Sequence, residues 1–373
     1  MNVLFIQRDE KWFDKAKQWA YHAQCGWVDA LEEIGCNVDL IFTYQLDSLL
    51  NLIKGKSYDL CIINCVLHCF TAKENLFSVE IMKKIRCQSN KLIGFAAEKM
   101  HYYDASGNLY EWSKARIEGL EKFQHLFDGF CVFHFEDVQN IERLWDKPAL
   151  HYTPTLPASF LVNTNFGIIE KVRRKLYRKN RKIIMIATLY PEREKFINRV
   201  RQHISFGNIN EADLKIAFES LTKAGKLLSA FDMATVNQQI RNIKKQSFRR
   251  YLKALYGYRA VFHPPAFMDA IHCRYIEAIA AGSICLHPTV TTEEENGITD
   301  RLDIFYYKKD DFEASVNELF SMDSDYFKMI ECAHERAVTY RTTEKDILRI
   351  LSFFSIQYSS ESSGTCIQTP LQN

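Results

Sequence analysis

Two carboxylates separated by seven residues, Asp269 and Glu277, are the first candidates for chemistry, because the second opens a run of small residues, Glu277-Ala278-Ile279-Ala280-Ala281, that stops at Gly282. A carboxylate in the first turn of a helix lies in the favourable field of the helix dipole, beside backbone N–H groups that have no partner within the helix. Such an end can grip sugar hydroxyls and phosphates together. The same run also describes an ordinary helix with its glycine stop, so by itself it selects no reaction.

Its weight comes from order. Ile184-Met185-Ile186-Ala187-Thr188-Leu189-Tyr190-Pro191-Glu192-Arg193 comes first, then Asp269, then Arg274 three residues before Glu277, then Gly282. With these residues the chain resembles the glycosyltransferases of the GT-B fold whose C-terminal domain carries an acid, seven residues, then Glu-Ala-x-Ala-x-Gly. Within that group it is similar to the spore-maturation-type branch, which also has an arginine three residues before the glutamate. The sequence departs from the common pattern in having Asp at 269 and Ala270-Ile271-His272 after it.

The resemblance implies an α/β chain of two Rossmann-like domains facing a cleft, with the donor wall in the C-terminal half. It implies a nucleotide diphosphate sugar as donor substrate and a glycan or glycoconjugate as acceptor. Asp269 would lie near the donor sugar and Glu277 on the ribose, with Gly282 completing the donor motif. Arg193 would meet the diphosphate, with Arg274 beside it. An arginine fork suits the two charges of a leaving diphosphate, so transfer without a metal or a further cofactor is expected. Asp323-Ser324-Asp325 has the look of a manganese-binding acidic triplet, but it follows an apolar helix and reads as a turn and helix N-cap. No GxGxxG or P-loop is present, which disfavours a conventional NAD enzyme or ATPase.

Sugar transfer needs either a base to take the acceptor proton or, with retention, stabilisation of an oxocarbenium-like transition state, and a base would have to come from the first half. Glu98 and His101 follow the strand Leu92 to Phe95, at the carboxyl edge where open α/β sheets place ligands, and are catalytic candidates by position; taken singly, each reads as a surface-loop residue. Cys61, Cys65, His68 and Cys69 have the residue types of a zinc site, but their segment reads as a buried strand, on which alternate side chains diverge. His263, His272 and His287 surround the acid pair in sequence and read as structural residues.

The elements that must position these groups follow from the apolar periodicity. Val3 to Ile6, Val38 to Phe42, Leu60 to Ile63, Lys91 to Phe95 and Gly129 to Phe133 read as strands, with helical stretches such as Trp27 to Ile34, Val79 to Ile85 and Ile117 to Phe127 between them. This is a parallel doubly wound sheet. A second set begins at Ile183 to Ala187. It continues through a mostly helical and polar stretch from Phe196 to Gln246, then Ala260 to His263, the helix Arg274 to Ala281, Ser283 to His287 and Ile304 to Tyr307.

The bulk properties agree. A chain of 373 residues exceeds what one core usually supports, and 47% hydrophobic residues supply two. The 48 basic and 46 acidic side chains nearly cancel, which excludes a general nucleic-acid binder. Eleven cysteines without a secretory pattern read as reduced thiols in a cytoplasmic protein. The expected organisation is an acceptor-side domain over 1–155, a basic linker over 156–182, a donor domain over 183–340, a C-terminal helix over 341–355 packing back on the first domain, and a disordered tail over 356–373. The basic run 171–182 reads first as a solvated helix face and second as a peripheral contact for an anionic membrane or a phosphorylated acceptor. Two other functions fit the same fold: a nucleotide-sugar epimerase or hydrolase, and a non-catalytic nucleotide-sugar-binding scaffold.

Overall fold

The computed structural model describes residues 1–8, 25–70, 76–103, 106–161, 183–185, 191–206, 233–264, 271–290, 297–322 and 324–358. Two parallel sheets organise the chain. The first contains β1 (Asn2–Gln7), β2 (Asn37–Phe42), β3 (Tyr58–Asn64), β4 (Ser89–Ala96), β5 (Gly129–Val132) and β6 (Ala149–His151), in the spatial order β2-β1-β3-β4-β5-β6. The second contains β7 (Ile183–Met185), β8 (Ile204–Phe206), β9 (Ala260–Phe262), β10 (Ile284–Pro288) and β11 (Phe305–Tyr307), in the order β11-β10-β9-β7-β8. Each sheet therefore reverses its winding once, between β1 and β3 and between β7 and β9. The carboxyl ends of strands at such a reversal form the crevice in which α/β sheets bind ligands.

The strands are near-continuous apolar runs because helices cover both faces. Phe5, Ile62, Ile93 and Cys131 pack with Trp27 and Val28 on one side of the first sheet, while Leu4, Cys61, Leu92 and Phe130 pack with Met82, Ile85 and Leu120 on the other. Gly35 ends the helix Cys25–Glu33 with φ +92°, a conformation that favours glycine. The short strand Ile204–Phe206 was missed in the sequence reading of Phe196 to Gln246 as helical and polar, because three residues carry too little periodicity to register.

The carboxyl edge of the first sheet faces the second domain. Asn237, on the helix Met233–Leu255, donates to the Leu40 carbonyl of β2 (2.6 Å) and accepts from Gln45 (2.8 Å), while the Tyr275 hydroxyl donates to the carbonyl of Pro154 beyond β6 (3.1 Å). Phe42, Leu156, Phe248 and Tyr251 share one core cluster. Arg241 makes a bidentate pair with Glu32 (2.8 and 2.5 Å) and meets Asp29 (3.0 Å), to which Lys245 also binds. The helix Thr343–Phe353 returns to the first domain, where Ile347, Ile350, Leu351 and Phe354 pack with Val3, Phe5 and Trp27.

The basic run 171–182 and the tail beyond Tyr358 lie outside the described residues. Among the described residues no helix is long and apolar enough to cross a membrane.

Candidate functional site

The helix Arg274–Ala280 starts near the carboxyl edge of β9 and carries Glu277 in its first turn. The Glu277 carboxylate is closed to solvent, and its Oε2 accepts from the Tyr251 hydroxyl (2.5 Å) and from Arg274 Nη1 (3.0 Å). Arg274 Nη1 also donates to the Tyr251 oxygen (2.7 Å), which closes a three-membered buried network. Burial drives the Tyr251 phenol far above its ordinary value, so it stays a donor. Burial alone would lower Arg274, but the facing Tyr251 oxygen and Glu277 carboxylate outweigh it and raise the guanidinium.

This geometry alters the expectation for Arg274. Its guanidinium is 2% exposed as a residue and bound to Glu277 and Tyr251, so it fixes the carboxylate. Gly282 also differs in role. It has φ +57° and caps the carboxyl end of the helix, with its N–H on Ile279 O (2.7 Å), and it leads into the start of β10. That is the amino edge of the sheet, so Gly282 ends the helix there. Asp269 lies outside the described residues, as does Asp323; Arg193 belongs to the helix Pro191–Val200, but its side chain is outside the described set.

Three histidines line the same edge. The His263 ring stacks on both His272 and His287, with centroids 4.6 Å apart in each pair and planes within 17° and 13°. His287 Nδ1 lies 2.7 Å from the Pro288 carbonyl, which assigns the proton there, and Nε2 accepts from the His272 N–H (3.4 Å). Stacked rings hold their nitrogens in parallel planes, which suits packing and not convergence on one ion.

Across the cleft, Glu98 accepts from Arg116 Nη1 (2.9 Å) and lies 3.1 Å from His68 Nε2. Arg116 Nη2 approaches His68 Nδ1 at 3.1 Å, so the neutral ring accepts from the arginine and donates to the glutamate. Burial pushes the Glu98 carboxyl up, but the hydrogen bonds from His68 and Arg116 and the guanidinium charge win and hold it at about 2. Burial, together with the charges of Arg116 and Arg8, lowers His68 against the pull of Glu98. A carboxylate this acidic is a poor proton acceptor at neutral pH.

His101 is arranged differently. Its Nδ1 lies 3.0 Å from Oδ1 of the fully buried Asp137, whose Oδ2 accepts from the Met100 N–H (2.7 Å). A carboxylate on Nδ1 favours the proton there and leaves Nε2 as the basic nitrogen.

The zinc-like cluster is placed otherwise than expected. β3 ends at Asn64, Cys65 adopts a left-handed conformation (φ 56°), and Val66–Cys69 form one helical turn, so only Cys61 lies on the strand. Among the described residues no three of His, Cys, Asp and Glu are placed to hold a metal ion.

Sequence reading missed Tyr251, Arg116, His68 and Asp137 as parts of these networks. One signal was available for Tyr251: Ile240, Phe248, Tyr251, Leu252 and Leu255 are buried at helical spacing, which marks an inward stripe with a polar tip in it. Nothing comparable marks Asp137, a buried acid in an ordinary amphipathic helix.

No protein-family model and no curated protein matches the chain. Solved structures do. Anabaena Alr3699/HepE in complex with UDP and glucose superposes with a TM-score of 0.52 at 13% identity, covering 94% of this chain and 99% of that one. An alpha-glucosyltransferase in complex with UDP gives 0.54 at 11% identity, covering 95% and 99%. A glycosyltransferase from Rickettsia africae gives 0.50 at 10% identity, covering 95% and 97%. At these identities the likeness is one of fold: the chain has the GT-B architecture, two Rossmann-like domains facing a cleft.

Proposed function

We propose that this protein transfers a sugar from a nucleotide diphosphate sugar to a saccharide, lipid-linked or protein acceptor bound in the cleft. The carrying observation is the buried Glu277, fixed by Tyr251 and Arg274 in the first turn of the helix that follows β9. A carboxylate is held in this way at a cost in desolvation, which the pairing offsets but which an apolar trio would not incur. Retaining it there makes sense where hydroxyls must be gripped. Support also comes from the solved neighbours, which hold UDP, alone or with glucose.

In this reading Glu277, closed to solvent in the free protein, meets the ribose hydroxyls when the donor is bound, and Arg274 is a positioning residue that orients it. Arg193 takes the diphosphate, supplying positive charge where a leaving group develops negative charge, so the reaction needs no metal. Asp269 lies near the donor sugar. On the facing wall His101 Nε2, oriented through Asp137, accepts the acceptor hydroxyl's proton; Glu98, whose Oε2 meets both Arg116 and His68, holds its neighbours in place.

Thermal shift with UDP-glucose tests the donor site, because a ligand that binds only the native state raises its apparent stability. The parent should show a saturable shift that persists in EDTA, and Arg193→Ala and Glu277→Gln should lose it. A panel of nucleotide diphosphate sugars that gives no shift at all would sink the proposal. Interconversion of the donor without acceptor would favour an epimerase, and binding without turnover a scaffold.

A further inference from the structure

The segment joining β4 to the helix Glu111–Glu121 carries an unusual density of exposed aromatic surface. Tyr103 is 53% exposed, Tyr110 40% and Trp112 46%. Their rings are organised: Tyr110 and Trp112 lie nearly parallel with centroids 5.9 Å apart, Tyr102 approaches Trp112 at 4.7 Å, and Tyr103 stands parallel to His101 at 6.5 Å. Arg116 lies over the Trp112 ring with its Cζ 4.9 Å from the centroid, and the same arginine binds Glu98. The aromatic surface is therefore continuous with the polar network at the carboxyl edge of β4.

The backbone beneath is clamped from inside. The fully buried Ser113 donates to Met100 O (2.5 Å) and accepts from Tyr102 N–H (3.2 Å), Asp137 holds Met100 N–H (2.7 Å), and Tyr110 N–H returns to Tyr102 O (2.8 Å). Buried polar anchors of this kind have a cost unless fully paired, and here they fix exposed rings before any ligand arrives.

We propose that Tyr103, Tyr110 and Trp112 form a stacking platform for a saccharide chain, which it feeds toward His101. The chemistry favours a sugar. One face of a pyranose presents a row of polarised C–H groups to the electron-rich face of an aromatic ring. Its hydroxyls need polar partners at the platform's border, where Arg116 and the part-exposed Glu98 carboxylate stand. A protein partner would instead call for a broad apolar patch, whereas these rings are interspersed with Asn108 and Glu111. That the bound chain is the acceptor rests on the transferase reading; that the platform binds sugar does not.

The test measures binding of maltohexaose, a neutral chain, and an oligouronate, an acidic one, by titration calorimetry in the presence of UDP. The parent should bind at least one saturably, with Trp112→Ala and Tyr110→Ala weakening it about tenfold or more. Tyr340→Ala, which removes an exposed ring elsewhere, should leave it unchanged, and the UDP-glucose shift should be intact in all three. Absence of binding to both oligosaccharides, equal binding by Trp112→Ala, or preference for a DNA oligonucleotide overturns the platform. Loss of the parent's UDP-glucose shift would overturn the transferase reading alone.

Discussion

Tyr251 and Glu277 stand 26 positions apart in the chain, yet the phenol donates a 2.5 Å hydrogen bond to the carboxylate in a site closed to solvent. The contact ties the long helix Met233–Leu255, which touches the first domain through Asn237 and Arg241, to the helix that carries the candidate donor-binding carboxylate. Domain packing and the candidate donor carboxylate thus share one bond.

Removing the phenol oxygen by Tyr251→Phe should cost about 1–3 kcal/mol in urea unfolding, the range for stranding a buried polar partner. Glu277→Ala should cost more, about 3–5 kcal/mol, because it leaves the buried Arg274 charge uncompensated. Adding Arg274→Met to Glu277→Leu should recover much of that stability while donor binding stays absent. A double variant that regains the UDP-glucose shift would show that the carboxylate serves only the fold.

Glu98 makes stability pH-dependent in a defined window. Its folded value, about 2, lies below the ordinary 4.5, so its contribution is full above 4.5 and is lost as pH falls through 2. The side chain is 40% exposed, so solvent screening keeps the contribution small. Glu98→Gln should flatten the acid limb of the stability curve and leave the rate between pH 6 and 8 within a few-fold of the parent. A rate loss comparable to that of His101→Ala would make Glu98 the base.

His101→Ala should lower kcat by about a hundredfold to ten-thousandfold with an unchanged UDP-glucose shift, since the proposed reaction puts proton transfer and donor binding on opposite walls. A loss of less than about tenfold would remove His101 from the proton path.

Gly129 is close-packed from two sides: a Cβ there would meet the Phe354 ring and approach the Pro148 carbonyl to 2.6 Å. Gly129→Ala should therefore destabilise by about 1–3 kcal/mol. Phe354→Ala combined with it should relieve part of the loss, and limited proteolysis should show earlier release of the C-terminal helix in the single variant.

The sequence by itself determined the two parallel sheets, since buried strands appear as apolar runs separated by helical periodicity, and it located Glu277 in a helix's opening turn. The resemblance to the GT-B pattern also singled out Arg274 and Gly282. Spacing measures distance along the chain and says nothing about which way a side chain turns. Only the folded chain turns Arg274 inward onto Glu277, sets Gly282 at the far edge of the sheet, pairs Glu98 with Arg116 and His68, and orients His101 by a carboxylate from a separate helix. Each depends on partners between 3 and 36 positions away brought together by burial, where losing water makes every polar group's choice of partner decisive.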